Sequence, residues 1–184
     1  APNATTVAGT LYCDTYSGST LLGTCAISVS AAIPASVTPT LTYTMSEAVS
    51  GIASRFGAYI QGNSKLAVSI TPSGAYGSTV SSVTTTVNGT TYTTTSFTTA
   101  VLQSAGSQTM RITVKDSRNR TATYTASFSV TAYAAPKLTN VAIYRCNSND
   151  AASHTGAYMS GTFTGQVTSL NSRNTVAVAV GYKL

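Results

Sequence analysis

His154 is the chain's one histidine, and general acid–base chemistry draws most often on histidine or on a pair of carboxylates. It follows Asp150 closely, but a Ser–His–Asp hydrolase of the elbow type also needs Gly-x-Ser-x-Gly, which is absent. The residue at the matching point of an internal repeat is Arg55, so His154 reads as part of an exposed loop. The remaining carboxylates, Asp14, Glu47 and Asp116, are far apart in sequence. Asp14 and Asp116 both precede hairpin turns, where aspartate bonds to the turn's backbone amides. Calcium loops need clustered acidic oxygens, and Asn147-Ser148-Asn149-Asp150 offers one carboxylate without a partner glutamate. The chain therefore reads as non-enzymatic, with no catalytic residues, no metal and no cofactor.

Four residues are candidates for contact with a ligand. Tyr16 and Tyr76 fall in expected loops, where a tyrosine ring offers contact area at low entropic cost. Arg118 and Arg120 belong, with Arg111 and Lys115, to the only local basic cluster. Net charge is +6, from 10 basic and 4 acidic residues. That balance reflects scarce acids, and no nucleic-acid motif or dense basic patch accompanies it, so nucleic acid is not an expected partner. The cluster reads as a solvated hairpin with a weakly basic tip. Cys13, Cys25 and Cys146 show no zinc-ligand spacing. Cys13 and Cys25 each read as a buried free thiol, with a disulfide between them across a hairpin as the alternative.

The elements that must carry these residues are strands. Hydrophobic residues make up 42% of the 184 positions and charged residues 8%, against about 25% in an ordinary soluble domain. Thr, Ser, Asn and Gly must supply the polar surface, and Thr favours a pleated face. Eleven tyrosines and regular apolar spacing argue against disorder. Thr10 to Cys13 runs into a Ser17-Gly18-Ser19 turn, and Leu21 to Val29 returns. Ala35 to Pro39 reads as a linker. Leu41, Tyr43 and Met45 alternate, Glu47 to Phe56 is irregular, and Leu66, Val68 and Ile70 share a face. Val80 to Val87 leads into Asn88-Gly89, the strongest short hairpin signal. Met110, Ile112 and Val114 alternate before an Asp116–Asn119 turn, and Tyr124, Ala126, Phe128 and Val130 alternate after it. Val141 and Ile143 share a face, and Val176, Val178 and Val180 form a last expected strand. No helix longer than a turn is expected. No apolar run approaches the ~20 residues of a membrane helix, so a soluble chain without membrane insertion is expected. Ala1 opens no signal peptide, which suggests a processed product or an excised fragment.

An internal repeat organises these strands. Ser54, Gly57, Ala58 and Tyr59 match Ser153, Gly156, Ala157 and Tyr158 at an offset of 99 positions, as do Gly62 and Gly161. Ser28-Val29-Ser30-Ala31 matches Ser129-Val130-Thr131-Ala132 at an offset of 101, each followed by a proline, Pro34 or Pro136. A period of about 100 residues is the size of an immunoglobulin-type sandwich. The expected fold is therefore all-β, built of tandem immunoglobulin-like antiparallel sandwich modules. Residues 1–34 read as the C-terminal strands of one repeat, 35–134 as a complete domain, and 135–184 as the N-terminal half of a third. The two incomplete pieces are complementary halves, and they are expected to complete each other within one chain or between chains, the latter propagating into a filament.

Several runs resemble a known family: Tyr133 to Leu138, Ile143 to Asn147, Gly156 to Met159, Ser46 to Gly51, Phe56 to Gln61, and Val114 to Thr121. They are similar to minor structural proteins of tailed phages and prophages, of siphovirus type, which string immunoglobulin-like repeats together in virion and tail proteins. The resemblance covers roughly residues 28 to 184 and rests on repeat signatures, so it carries over no functional residue. It implies a virion (tail or tail-fibre) structural protein whose partners are other virion or surface proteins or further copies of itself, with weak adhesion to a glycan or host surface protein. A bacterial cell-surface adhesin or host-protein-binding module, extracellular rather than in a virion, is the alternative. Relatives are expected to be longer than this chain.

Overall fold

A computed structural model describes residues 3–179. Among the described residues, twelve strands and one short helix follow in order: β1 (Thr6–Ser17), β2 (Thr20–Ala32), β3 (Thr40–Glu47), α1 (Ile52–Phe56), β4 (Tyr59–Ile60), β5 (Leu66–Ser73), β6 (Val80–Val87), β7 (Thr90–Tyr92), β8 (Ser96–Thr98), β9 (Gly106–Asp116), β10 (Thr121–Thr131), β11 (Lys137–Cys146) and β12 (Tyr158–Gln166). They form four sheets, ordered β1-β2, β4-β10-β9-β6-β7, β11-β12 and β3-β5-β8. The chain is thus mostly β with several antiparallel sheets, as its alternating pattern predicts.

The chain divides into two compact units. The first comprises Ala1–Ser46, Leu66–Thr99 and Thr109–Ser127, and the second Glu47–Lys65, Ala100–Gln108 and Phe128–Leu184. In the first unit, β5 buries Leu66, Val68 and Ile70, β6 buries Val83, Thr85 and Val87, and β9 buries Met110, Ile112 and Val114. These are every second residue of strands from two different sheets, the period that places side chains on one face. The Asn88-Gly89 turn connects β6 to β7 with both residues at positive φ, 50° and 73°.

The same unit holds the β1–β2 ribbon, in which every residue of both strands is exposed. Cys13 sits directly opposite Cys25 in its register. Both thiols are free and exposed, and Cys146 alone is buried. The expected burial fails for the first two because two strands alone bury neither face. Tyr16 lies within β1, opposite Leu21 at a register shift, and not in a loop. Asp14 lies mid-strand, where its Oδ1 accepts from the Thr24 hydroxyl at 2.7 Å, so it is no turn-capping counterpart of Asp116.

The second unit contains α1, bounded by Gly51 and Gly57 in the left-handed region. Its Glu47 accepts from the backbone N–H of Val49 at 2.9 Å and of Lys65 at 3.1 Å. The two residues of β4 pair in parallel with the end of β10, Tyr59 with Val130 and Ile60 with Thr131. The rings of Tyr59 and Phe128 meet edge-on, with centroids 5.8 Å apart. Burial raises the Tyr59 pKa, with the Glu47 charge adding to it. The β11–β12 ribbon, in contrast, is exposed almost throughout. Gly156 approaches it so closely that a Cβ there would stand 2.1 Å from the carbonyl oxygen of Cys146. The strand expected at Val176, Val178 and Val180 does not form over its described residues, since alternation makes no strand without a partner for its backbone groups. Val180 lies outside the described residues.

Candidate functional site

Three charged residues of the first unit, Asp116, Arg118 and Arg120, meet at the turn between β9 and β10. Asp116 ends β9, almost fully buried, and its Oδ1 accepts from the backbone N–H of both Arg118 and Arg120, each at 2.9 Å. The turn closes with the Asp116 N–H donating to the Arg120 carbonyl at 2.9 Å and the Asn119 N–H to the Asp116 carbonyl at 3.0 Å. Asn119 takes the left-handed conformation, φ 62°, which asparagine tolerates better than most residues. Asp116 therefore does what its type and place predict. Burial alone would push its pKa up. The Arg120 N–H, the Ser78 hydroxyl, the Arg118 N–H and the Arg118 charge outweigh that and hold the carboxyl below its ordinary value.

Turning the backbone this way directs two guanidinium groups onto main-chain carbonyls. Arg118, only 8% exposed, donates from Nε to the carbonyl of Ala4 at 3.2 Å, from one terminal nitrogen to Ala75 at 2.8 Å, and from the other to Tyr76 at 2.6 Å. Arg120 donates to the carbonyl of Val37 at 2.9 Å and to that of Ile33. Three segments are held: the stretch before β1, the β5–β6 loop, and the β2–β3 connection. Arginine suits the task because its planar fork presents several donors in fixed directions. The turn is not the solvated basic tip that the sequence leads one to expect. Arg118 and Arg120 spend their donors internally, because carbonyls far off in sequence arrive beside them.

Of the four candidate contact residues, the structure brings Arg118, Arg120 and Tyr76 into one neighbourhood. Tyr76 contributes its carbonyl, while the residue is 80% exposed at φ 48°. An open cleft beside it is lined by Arg118, Gly77, Thr5, Val7 and Ile33. Tyr16 is exposed on β1 and does not line this cleft. The sequence reading missed the receiving carbonyls of Ile33, Val37, Ala4 and Ala75. No side-chain signal marks a carbonyl, and the linker prolines were the only hint that this segment needs anchoring. His154 is exposed, as expected of a loop residue. Among the described residues no cluster of His, Cys, Asp or Glu could hold a metal ion, and no helix is long and apolar enough to cross a membrane.

No curated protein matches the chain. Among solved structures, it is similar to the PKD1 domain of the Vibrio cholerae metalloprotease PrtV, at 20% identity and a TM-score of 0.39, over 52% of this chain and 99% of that domain. Residues 1–154 match the family described as "Siphovirus protein of unknown function (DUF859)". That match takes in β1 through β11 and the Asp116–Arg120 turn, and the chain belongs to this siphovirus protein family.

Proposed function

We propose that the chain is a non-enzymatic structural element of a phage virion, in the tail or tail fibre, whose immunoglobulin-like repeats act as a spacer or decoration. The observation that carries this reading is the use made of Arg118 and Arg120. In a chain with 10 basic residues, two are committed to carbonyls of the β2–β3 connection and neighbouring loops. That arrangement sets how a repeat receives the segment entering it, which is the requirement of a stiff tandem array. Membership of a siphovirus family supports a place in the phage. The test is a gradient-purified preparation of the encoding phage, probed by mass spectrometry and by antibody labelling in the electron microscope. Label on the tail is the expected result, and absence from virions overturns the reading.

A second reading is favoured by Tyr76 and Tyr16, which are 80% and 56% exposed. Such rings suit contact with a sugar or a protein surface. Under this reading the repeats adhere weakly to a host glycan, or belong to an Ig-like adhesin at a bacterial surface. Glycan-array and mucin binding, compared with the Tyr76→Ala and Tyr16→Ala variants, tests it. Binding that both variants abolish supports adhesion, and no binding removes it.

A further inference from the structure

In the first unit, the outward face of β6, β9 and β10 carries hydroxyls and positive charge. Alternation turns Val83 and Val87 of β6, Met110, Ile112 and Val114 of β9, and Ala126 of β10 inward, and all are buried. The positions that alternate with them in this unit are serine or threonine in every case but two, Arg111 and Lys115. Arg111 is exposed and Lys115 half-buried. The one carboxylate of the three strands, Asp116, falls on the inward side and is buried. No acidic, aromatic or large aliphatic side chain shares the outward positions.

The hydroxyls stand in rows across the strands. Thr84 lies opposite Thr113, whose Oγ1 is 3.3 Å from that of Thr123. Thr86 lies between Arg111 on one side and Thr91 of β7 on the other, with the two threonine oxygens 3.4 Å apart. Such rows repeat at about 4.8 Å across a sheet and about 7 Å along a strand. Threonine is stiff at χ1, so these groups are held in place before a ligand arrives, and each can both donate and accept. Threonine suits any exposed strand; charge is what selects a ligand here. Arg111 and Lys115 are four residues apart on β9, about 13 Å along the strand, with Thr113 between them.

We propose that this face binds an anionic polysaccharide laid along β9. Its charged groups pair with Arg111 and Lys115, and its hydroxyl and ring oxygens hydrogen-bond to Thr113 and the rows beside it. Charge complementarity calls for an anion, since both charged side chains of the face are cations. A protein partner draws its affinity from buried aromatic or apolar anchors. A membrane surface needs apolar side chains to insert, and a single-stranded nucleic acid needs rings on which its bases stack. The outward positions offer none of these. A hydrated polymer, read by hydroxyl and charge, fits them. The proposal rests on the adhesive reading above and gives it a ligand class, but on residues other than Tyr76 and Tyr16, so that the two fail separately.

Binding of the 184-residue protein to immobilised hyaluronan, heparin and poly(glycerol phosphate) tests this. The three polymers carry carboxylate, sulfate and phosphodiester, so the one that binds identifies the anion. Dextran serves as the neutral polymer and a single-stranded thymidine oligomer as the nucleic acid. At least one of the three anionic polymers is expected to bind, and to be released by salt, while the two controls are not retained. Arg111→Gln and Lys115→Gln are each expected to weaken binding by about two- to fivefold, the range of an exposed ion pair. The Thr84→Val/Thr113→Val/Thr123→Val variant keeps strand preference and both cations, and is expected to weaken binding at least as much. Circular dichroism checks that each variant keeps its strand content. Lys137→Gln, an equal change of charge on β11, is expected to leave binding unchanged. No binding to any of the three anionic polymers overturns the proposal. So does equal binding of the thymidine oligomer, full retention by the threonine variant, or an equal loss in Lys137→Gln. Tyr76→Ala and Tyr16→Ala are measured in parallel, and a loss confined to those two keeps the adhesive reading while overturning this face.

Discussion

The Oδ1 atom of Asp116 receives the backbone N–H of Arg120 at 2.9 Å, and the same oxygen receives that of Arg118. One carboxylate therefore orients both arginines that hold the β2–β3 connection and the β5–β6 loop. Removing it in Asp116→Ala orphans two amides at a nearly buried site, at a cost of about 1–3 kcal/mol for each such group. Urea unfolding followed by circular dichroism is expected to show the midpoint fall.

The depressed pKa of Asp116 gives the wild type a defined acid sensitivity. Its folded value lies below the unfolded one, so the carboxylate's contribution is complete above an unfolded pKa of about 3.9. It is lost as pH falls through the folded value. Stability measured from pH 7 down to pH 2 is expected to drop over that acid window, and Asp116→Asn to flatten the drop. An equal slope in wild type and variant contradicts the assignment.

Arg118 and Arg120 differ in what they hold. Arg120→Ala frees the carbonyls of Ile33 and Val37, so limited proteolysis is expected to cut faster between residues 33 and 39. Arg118→Ala strips donors from the carbonyls of Ala4, Ala75 and Tyr76 and is expected to cost about 1–3 kcal/mol in thermal or urea unfolding. Arg118→Lys is expected to recover little of it, since an ammonium cannot reach three carbonyls at once.

Cys13 and Cys25 stand opposite each other with free, exposed thiols. Opposed residues of an antiparallel pair have Cα atoms about 4.5–5.5 Å apart, inside the range that a disulfide spans. Oxidised glutathione is expected to link them within one chain, taking up their two hydrogens as reduced glutathione. Peptide mapping is expected to find the pair, and the link to stabilise the ribbon by about 2–3 kcal/mol in the chain-entropy account. Modification of both thiols by maleimide after oxidation contradicts this.

Thr85 is fully buried in β6, and its hydroxyl oxygen has no hydrogen-bond partner among the described residues. Thr85→Val keeps the shape and removes a desolvated polar group. Thermal unfolding is expected to show a gain of about 1 kcal/mol; a loss of similar size indicates a hydrogen bond formed by that hydroxyl.

Local patterning was enough for most of the strands. Leu66, Val68 and Ile70 alternate and are buried, as do Met110, Ile112 and Val114, because a strand's two-residue period is written into each segment separately. Asn88-Gly89 and Asp116 to Asn119 were legible for the same reason, since a turn's requirements involve only neighbouring residues. Alternation failed at Val176 and Val178, where a strand depends on a partner that the segment does not contain. The thiols of Cys13 and Cys25 were expected inside and lie outside, because burial depends on a second layer over the ribbon. The destiny of Arg118 and Arg120 was equally beyond the sequence. Their partners lie between 42 and 114 positions away and are backbone oxygens, which every residue possesses. Sequence by itself determined which segments alternate and where the tight hairpin turns fall. Only the tertiary structure decided which charges face inward and which apolar face lies bare, because both depend on what folds back from a distance.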